Sequence, residues 1–447
     1  MTPLTSTQGT GRTGPDLYRR AKQRIPGGTQ LLSKRPEMFL PDNWPAYYDR
    51  ATGCTVTDLD GRPLTDFTSC GIGSCLLGYA DPVVNAAVVD RIARGNMCTL
   101  NSPDEVAVAD LLCELHPWAD QVRYARAGGE ILTIAVRIAR AATRRDVVAF
   151  CGYHGWSDWY LAANLGETEA LNGHLLPGLD PAGVPAGLRG TAVPFRYNRI
   201  EELEAIVAGN QGRLAAIVME PMRYDAPRDG FLDKVRALAD ETGAVLIFDE
   251  VTSGWRSHHG GIHLKLGVAP DLAVFAKSLS NGFPMAAVIG RGRVMEAAQR
   301  TFVSSTYWTE GIGPAAALAT LRRLKELDAV AHIAKIGDLT RQGWRDAAAR
   351  HGLQVTVGGI PALCNFSFSY GDDSRRLMTL FTQTMLDRGY LANGVFYPTC
   401  AHTPAHVEAY LQTVGEVFGF LKSVLDEGSL AQHLRGPVAH SGFARLT

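Results

Sequence analysis

A lysine and an aspartate, each set at the end of an apolar run, carry the first chemical signal in this chain. Residues 245–248 read Val-Leu-Ile-Phe and stop on Asp249-Glu250-Val251, while residues 272–275 read Leu-Ala-Val-Phe and lead into Ala276-Lys277. Short continuous apolar runs bounded by turn signals predict strands buried on both faces. The carboxyl ends of parallel strands share one edge of an open α/β sheet, and ligands bind there. Asp249 and Lys277 are therefore expected to meet in one pocket. Two readings of that meeting stand. In one, the pair is a salt bridge capping two strands, a common structural device. In the other, a partly desolvated lysine loses its proton and becomes a nucleophile. Lys277 then forms a Schiff base, and Asp249 keeps the ring nitrogen of a bound heterocycle protonated, which makes the ring an electron sink.

Other predicted strand ends point to the same edge. Residues 214–219 form an apolar run that stops at Glu220-Pro221. Residues 147–150 form another, followed by Cys151-Gly152-Tyr153-His154-Gly155-Trp156. An aromatic ring at such a place either lies flat on a planar ligand or fills the core. Between them in function, though earlier in the chain, Gly128-Gly129 open a predicted helix whose apolar stripe is Ile131, Ile134, Ala135, Ile138 and Ala142. A glycine-bearing helix start can bind an anion through its exposed N–H groups, or it is a plain turn. The alternation of strands and helices implies right-handed crossovers and a mostly parallel sheet.

The motif Asp249-Glu250-Val251, then Gly254 and Arg256, then Pro270-Asp271, then Lys277 ahead of Gly282 and Pro284, resembles the class III aminotransferases. These are pyridoxal-phosphate enzymes of the aspartate-aminotransferase fold type I. Within them the chain is most similar to the glutamate-1-semialdehyde aminomutase branch and its aminotransferase relatives. The resemblance runs from Ile25-Pro26-Gly27-Gly28 to about Lys422. It implies an α/β fold: a large cofactor domain on a mostly parallel, seven-stranded sheet, with a small α+β lobe built from both termini. The corresponding spans are 1–70 and 316–447 for the two terminal segments and 71–315 for the large domain.

The resemblance also implies roles. Pyridoxal 5'-phosphate is the cofactor, Lys277 its Schiff-base lysine and Asp249 the partner of its ring nitrogen. Tyr153, in a matching Tyr-His-Gly with His154, stacks on the ring. Glu220 and Val251 are carried over as cofactor contacts. Gly128 and Gly129 stand where the family holds the phosphate. There the family reads Ser-Gly-Thr-Glu-Ala, whereas this chain reads Ala127-Gly128-Gly129-Glu130-Ile131, so backbone N–H groups are left to hold the anion. Thr309, with Thr306 as the second choice, is placed to reach the phosphate of a neighbouring subunit, which implies a homodimer with shared active sites. Gly311 replaces an arginine of the relatives, and Ser280-Asn281-Gly282 replaces Gly-Gly-Gly; Ser and Asn are turn formers that keep such a turn. Lys34 and Arg35, shortly after Pro26-Gly27-Gly28, stand where the aminomutase has a basic residue for the substrate carboxylate. The alternative is that both are solvated loop cations.

The rest of the chain bounds these readings. Its 447 residues suffice for one large and one small lobe, and 44 basic against 45 acidic residues leave a net charge of −1. Nothing in that balance attracts nucleic acid or an anionic membrane. No apolar run reaches the roughly 20 residues a bilayer requires. The eight cysteines, at 54, 70, 75, 98, 113, 151, 364 and 400, are scattered without a Cys-x-x-Cys pair, which points to free thiols of a reducing cytoplasm and to no metal site. Residues 1–16 are expected to be a disordered leader, 164–192 a long surface or interface loop, and 429–447 a loose tail. A helix is expected from Pro314 to about residue 327, and Asp81 is expected to cap a helix that has Pro82 in its first position.

These parts imply an enzyme that moves an amino group from an amino donor to a carbonyl acceptor. A 2,1-aminomutase shares the machinery but returns the amine to the neighbouring carbon. A non-catalytic binding protein on the same fold has no need of Lys277 at that strand end. A decarboxylase or racemase on the same cofactor is the remaining alternative.

Overall fold

The computed structural model describes residues 13–166, 170–174 and 177–442. The expectation of a disordered leader falls mostly on residues 1–12, outside the described residues, while residues 13–16 open the helix Thr13–Lys22. The chain divides into two compact units, residues 71–77 with 81–335, and residues 1–70 with 78–80 and 336–447.

The larger unit is built on a seven-stranded sheet. Its strands are β1 (Gln121–Ala125), β2 (Val147–Cys151), β3 (Ala192–Pro194), β4 (Leu214–Met219), β5 (Val245–Asp249), β6 (Leu272–Phe275) and β7 (Ala286–Gly290), in the spatial order β1-β7-β6-β5-β4-β2-β3. The pairs β6–β5, β5–β4, β4–β2 and β2–β3 are parallel. β7 runs antiparallel to both of its neighbours, so β1 points the same way as the parallel set. This is the mostly parallel α/β fold that the sequence implies. It brings the carboxyl ends of β1, β2, β4, β5 and β6 to one edge.

Strands β2, β4, β5, β6 and β7 are apolar, apart from the terminal Asp249, because both faces are covered. Every residue of β2, β4, β5, β6 and β7 is buried. On one face lies the helix Gly128–Thr143, which buries Ile131, Ile134, Ala135 and Ile138 against Val148, Val218, Ile247 and Val274. On the other, Phe231, Leu232 and Val235 of the helix Phe231–Thr242 pack on Val147, Ile217 and Phe248. Each large apolar side chain so buried contributes about 1.5–3 kcal/mol. Asp81 caps the helix Pro82–Ala93, its carboxylate accepting from the N–H groups of Val83 and Val84. The helix expected to begin at Pro314 begins two residues earlier, as Ile312–Glu326, because Glu310 accepts from the N–H groups of Ile312 and Gly313 and so starts it.

The smaller unit holds a four-stranded sheet of Tyr48–Thr52, Thr55–Asp58, Pro63–Phe67 and Tyr390–Ala392, and a three-stranded antiparallel one of Val355–Ile360, Leu363–Phe368 and Val395–Phe396. The helices Asp373–Asp387 and Pro404–Asp426 pack into its core beside Trp344, Phe366 and Phe368, and there Phe67 stacks on Tyr410 with ring centres 3.9 Å apart. The expected loose tail is tied down as far as residue 440. Gln383 donates to the His433 carbonyl and accepts from Arg435 N–H, Ala439 N–H donates to Thr379, and His440 N–H donates to the Glu37 carbonyl. Residues 443–447 lie outside the described residues. The expected loop 164–192 is partly packed: Leu171 is buried, and the buried Asn164 donates to the Leu179 carbonyl.

Candidate active site

Lys277 follows β6 directly, in a backbone conformation that lysine rarely takes, with φ +41°. Strain of this kind persists only where the surroundings hold it, and it gathers at functional sites. The neighbouring turn is fixed to it, since Ser278 Oγ donates to the Gly254 carbonyl at 2.7 Å. The amine itself donates to Thr252 Oγ1 at 2.8 Å. Among the described residues no ion pair joins Lys277 to Asp249, so the strand-capping salt bridge is not what the two residues form. Burial lowers the lysine pKa to about 8; Arg223 adds to this, Glu220 and Asp249 oppose it, and Arg256 again lowers it. An amine in that range is substantially neutral at mildly alkaline pH and can act as nucleophile and base.

Asp249, the last residue of β5, is buried and fully engaged on one side. Its Oδ1 accepts from Val251 N–H at 2.9 Å, and its Oδ2 lies 2.8 Å from His154 Nδ1. The other ring nitrogen of His154 lies 3.1 Å from the Cys151 carbonyl. His154 thus orients the Asp249 carboxylate, with its own ring wholly buried. Glu250 points elsewhere. It accepts from His263 N–H at 2.9 Å and pairs with His263 Nδ1 at 2.8 Å, which anchors the turn after β5.

Tyr153, after β2, is half-buried and meets Tyr160 edge-on at 5.9 Å. Its phenol pKa is raised by burial, against the nearby Arg223. Glu220, after β4, accepts from Arg223 Nη1 at 2.7 Å. Both groups line a cavity of about 220 Å³ with Tyr153, Gly152 and His174.

The helix Gly128–Thr143 starts at the same edge, after β1. Glu130 folds back to accept from the N–H groups of Arg126 and Ala127, each at 3.0 Å. No described hydrogen bond occupies the N–H groups of Gly128 and Gly129. A side chain at Gly128 would come within 3.2 Å of Val251 Cγ1, and one at Gly129 within 3.2 Å of Trp156 Nε1. The two glycines therefore form a bare cradle between the turns that follow β2 and β5. Helix N–H groups aimed into such a cradle suit a phosphate.

Thr309 lies exposed on the turn Thr306–Thr309, its hydroxyl donating to the Thr306 carbonyl at 2.9 Å. Arg126 holds this segment to β1 by a 2.7 Å ion pair with Glu310 and by hydrogen bonds to the Trp308 and Glu310 carbonyls. The glycine at 311 has a local reason: a Cβ there would stand 2.6 Å from Arg91 Cδ. Lys34 and Arg35 belong to the smaller unit, on the turn Leu32–Lys34 and just after it. Arg35 lies against Gly27, where a Cβ would meet its guanidinium at 2.5 Å.

The structure thus gathers Gly128, Gly129, Tyr153, His154, Glu220, Asp249, Val251 and Lys277 on one edge of one sheet. Sequence reasoning missed three neighbours of the lysine, namely Thr252, Arg223 and Arg256. Arg256 is within the motif but read only as a marker, and Arg223 had a signal in its spacing three residues after Glu220.

The family model for class III aminotransferases matches residues 41–407. The chain belongs to that family. It is 32% identical over 326 residues to a 3-aminobutyryl-CoA aminotransferase of Cloacimonas acidaminovorans, covering 70% of this chain and 74% of the relative. It is 30% identical over 436 residues to a glutamate-1-semialdehyde 2,1-aminomutase of Roseiflexus castenholzii, covering 92% and 98%. Among solved structures it is similar to the pyridoxal-phosphate internal-aldimine form of the FumI protein of Sphingopyxis sp. MTA144, with TM-score 0.83, 27% identity and coverage of 94% and 98%. This class III aminotransferase is a pyridoxal-phosphate enzyme that moves an amino group from an amino donor to a carbonyl acceptor. Among the described residues no helix is long and apolar enough to cross a membrane, and no group of side chains could hold a metal ion.

Proposed function

We propose that Lys277 and Asp249 are the catalytic pair of this aminotransferase. The observation that supports it is the Lys277 amine, lowered to about 8 at the end of β6, one strand from the buried Asp249. The residues at this edge fit the cofactor: a bare N–H cradle at Gly128 and Gly129 for phosphate, Tyr153 for a ring face, and Asp249 for a ring nitrogen. When bound, pyridoxal phosphate supplies an aldehyde that takes an amino group and a ring that takes up electron density from the substrate carbon. Lys277 would supply the amine that holds the cofactor and, when that amine is free and neutral, a base that takes up and returns a proton at Nζ. Asp249 stabilises positive charge at the ring nitrogen, in an orientation set in advance by His154 and Val251 N–H. Glu220 holds Arg223, and Val251 closes the floor of the phosphate cradle.

A panel of amino donors and acceptors, read by cofactor absorbance and product analysis, tests this reading. Conversion of a donor to its carbonyl product with release from the enzyme supports it; return of the amine to an adjacent carbon of the same molecule would make the enzyme a 2,1-aminomutase. Lys34 and Arg35 enter as the cations for a substrate carboxylate. Arg35→Ala or Lys34→Ala is expected to raise KM about ten- to a hundredfold for donors with a carboxylate, as loss of a charged hydrogen bond does, and to leave plain amines unaffected. Equal effects on both kinds of donor would mean that the residue shapes its loop.

The enzyme is proposed to be a cytoplasmic homodimer. In support, all eight cysteines are free, and Thr309 is exposed on a segment held rigidly by Arg126. An exposed hydroxyl there has only the Thr306 carbonyl as partner within its own turn, which suits a second role at the partner's phosphate. Sedimentation should give twice the 48.3 kDa chain mass. Thr309→Ala should weaken cofactor retention about fivefold or more, the effect of one lost hydrogen bond, at unchanged melting temperature. A lower melting temperature with unchanged cofactor affinity would reduce Thr309 to a cap of its own turn.

A further inference from the structure

The catalytic amine rests on a hydroxyl rather than on a carboxylate. Thr252, almost wholly buried on the turn that follows β5, takes the Lys277 amine at 2.8 Å. That turn is held from three sides. Gly254 N–H donates to the Glu250 carbonyl, and Glu250 is clamped by His263, whose Nε2 in turn accepts from Trp118 Nε1 at 2.9 Å. Buried Arg256 donates from Nε to the Thr252 carbonyl at 2.8 Å and from Nη2 to the Gly73 carbonyl. Ser278 ties the lysine's own turn to Gly254. The hydroxyl and the amine are thus two rigid ends brought together, and the left-handed backbone at Lys277 fixes where the longer side chain starts.

We propose that Thr252 is a positioning residue that holds the Lys277 amine in place for proton transfer while the amine is released from the cofactor. The proposal rests on the reading of Lys277 as the reacting amine. Its physical basis is that a hydroxyl both donates and accepts. It accepts from the ammonium form and donates to the lone pair of the neutral form, so the same contact survives the gain and loss of a proton. A carboxylate at this place would favour the ammonium form alone and raise its pKa by about one to three units. The charged groups that act on the amine are Glu220 and Asp249 on one side and Arg223 and Arg256 on the other. With two of each sign, a neutral anchor leaves burial to decide the balance, and the amine stays usable as a base.

The test uses the full-length enzyme loaded with the aminated form of the cofactor, in which Lys277 is not covalently bound. Two readouts are taken: the single-turnover rate with a carbonyl acceptor, and the pH dependence of Lys277 acetylation by acetic anhydride, read by peptide mass spectrometry. Thr252→Val should slow the half-reaction about ten- to a hundredfold, the effect of losing a hydrogen bond to a charged or polar group, with KM nearly unchanged and a larger deuterium isotope effect at the transferred hydrogen. Thr252→Ser should restore the rate to within about threefold, since one hydroxyl is put back. Thr252→Asp should move the acetylation midpoint upward from about 8 by one unit or more. The proposal is overturned if Thr252→Val keeps the half-reaction rate within twofold, or if Thr252→Ser is as slow as Thr252→Val, which would make the residue a packing element. Should Thr252→Val fail to fold, Thr252→Ser against Thr252→Asp decides on the acetylation midpoint: no difference between them overturns it. A failure of the underlying reading shows separately, as a cofactor bound through a lysine other than Lys277.

Discussion

Lys277→Ala is expected to lower the rate of amino transfer by about 10²- to 10⁴-fold, the range over which a positioned general base acts. The reason lies in how the amine is made. At the end of β6 it is lowered to about 8 by burial first and by Arg223 next. Its active form is the neutral one, whose share grows as pH rises. The proton-transfer half-reaction of the unaltered enzyme should therefore climb through about pH 8 and level off above it. In Lys277→Ala that limb should vanish along with the rate. Added small amines should recover part of the activity, in proportion to their basicity, because they supply a base to a pocket that otherwise remains intact. Stopped-flow absorbance of the cofactor measures all three. A loss of less than tenfold, or a persisting limb near pH 8, would move the base elsewhere.

Asp249→Asn is expected to cost about 10²- to 10³-fold in kcat, comparable to removing one preorganised electrostatic contact from an active site. The substitution keeps the shape of the side chain and its carbonyl oxygen can still accept from Val251 N–H. What it removes is the negative charge that His154 Nδ1 faces at 2.8 Å and that a protonated ring nitrogen needs. The fall should appear in kcat more than in cofactor affinity, since the cradle proposed for the phosphate, at Gly128 and Gly129, does not include Asp249. Asp249→Ala removes the acceptor as well and leaves Val251 N–H without it, so it should add a stability loss of about 1–3 kcal/mol, the penalty for an unsatisfied buried group. Near-normal kcat in Asp249→Asn, with calorimetry showing an intact fold, would mean that the ring nitrogen has another partner.

The sheet edge was legible in the chain because parallel strands covered on both faces must be apolar and must end abruptly. Val-Leu-Ile-Phe before Asp249 and Leu-Ala-Val-Phe before Ala276-Lys277 obey that rule, and so do the runs before Glu220 and Cys151. The antiparallel course of β7 was not legible, since Met285-Ala286-Ala287-Val288-Ile289 is as apolar as its neighbours and direction leaves no trace in composition. Thr252 escaped notice for a different reason. A hydroxyl beside a helix-like turn is ordinary in sequence, and its partner stands 25 residues away. The glycine at 311 answers to Arg91, a neighbour more than two hundred residues away that the local sequence does not show. The tail after residue 429 has turn-rich composition, yet Gln383 and Thr379 supply the hydrogen bonds that hold it. Local composition reports exposure poorly when the partner is a polar side chain on another element.

The most direct measurement reduces the loaded enzyme with borohydride, digests it and maps the cofactor adduct by mass spectrometry. A single adduct, on the peptide carrying Lys277, is expected. An adduct on Lys234 or Lys265, with Lys277 unmodified, would contradict it.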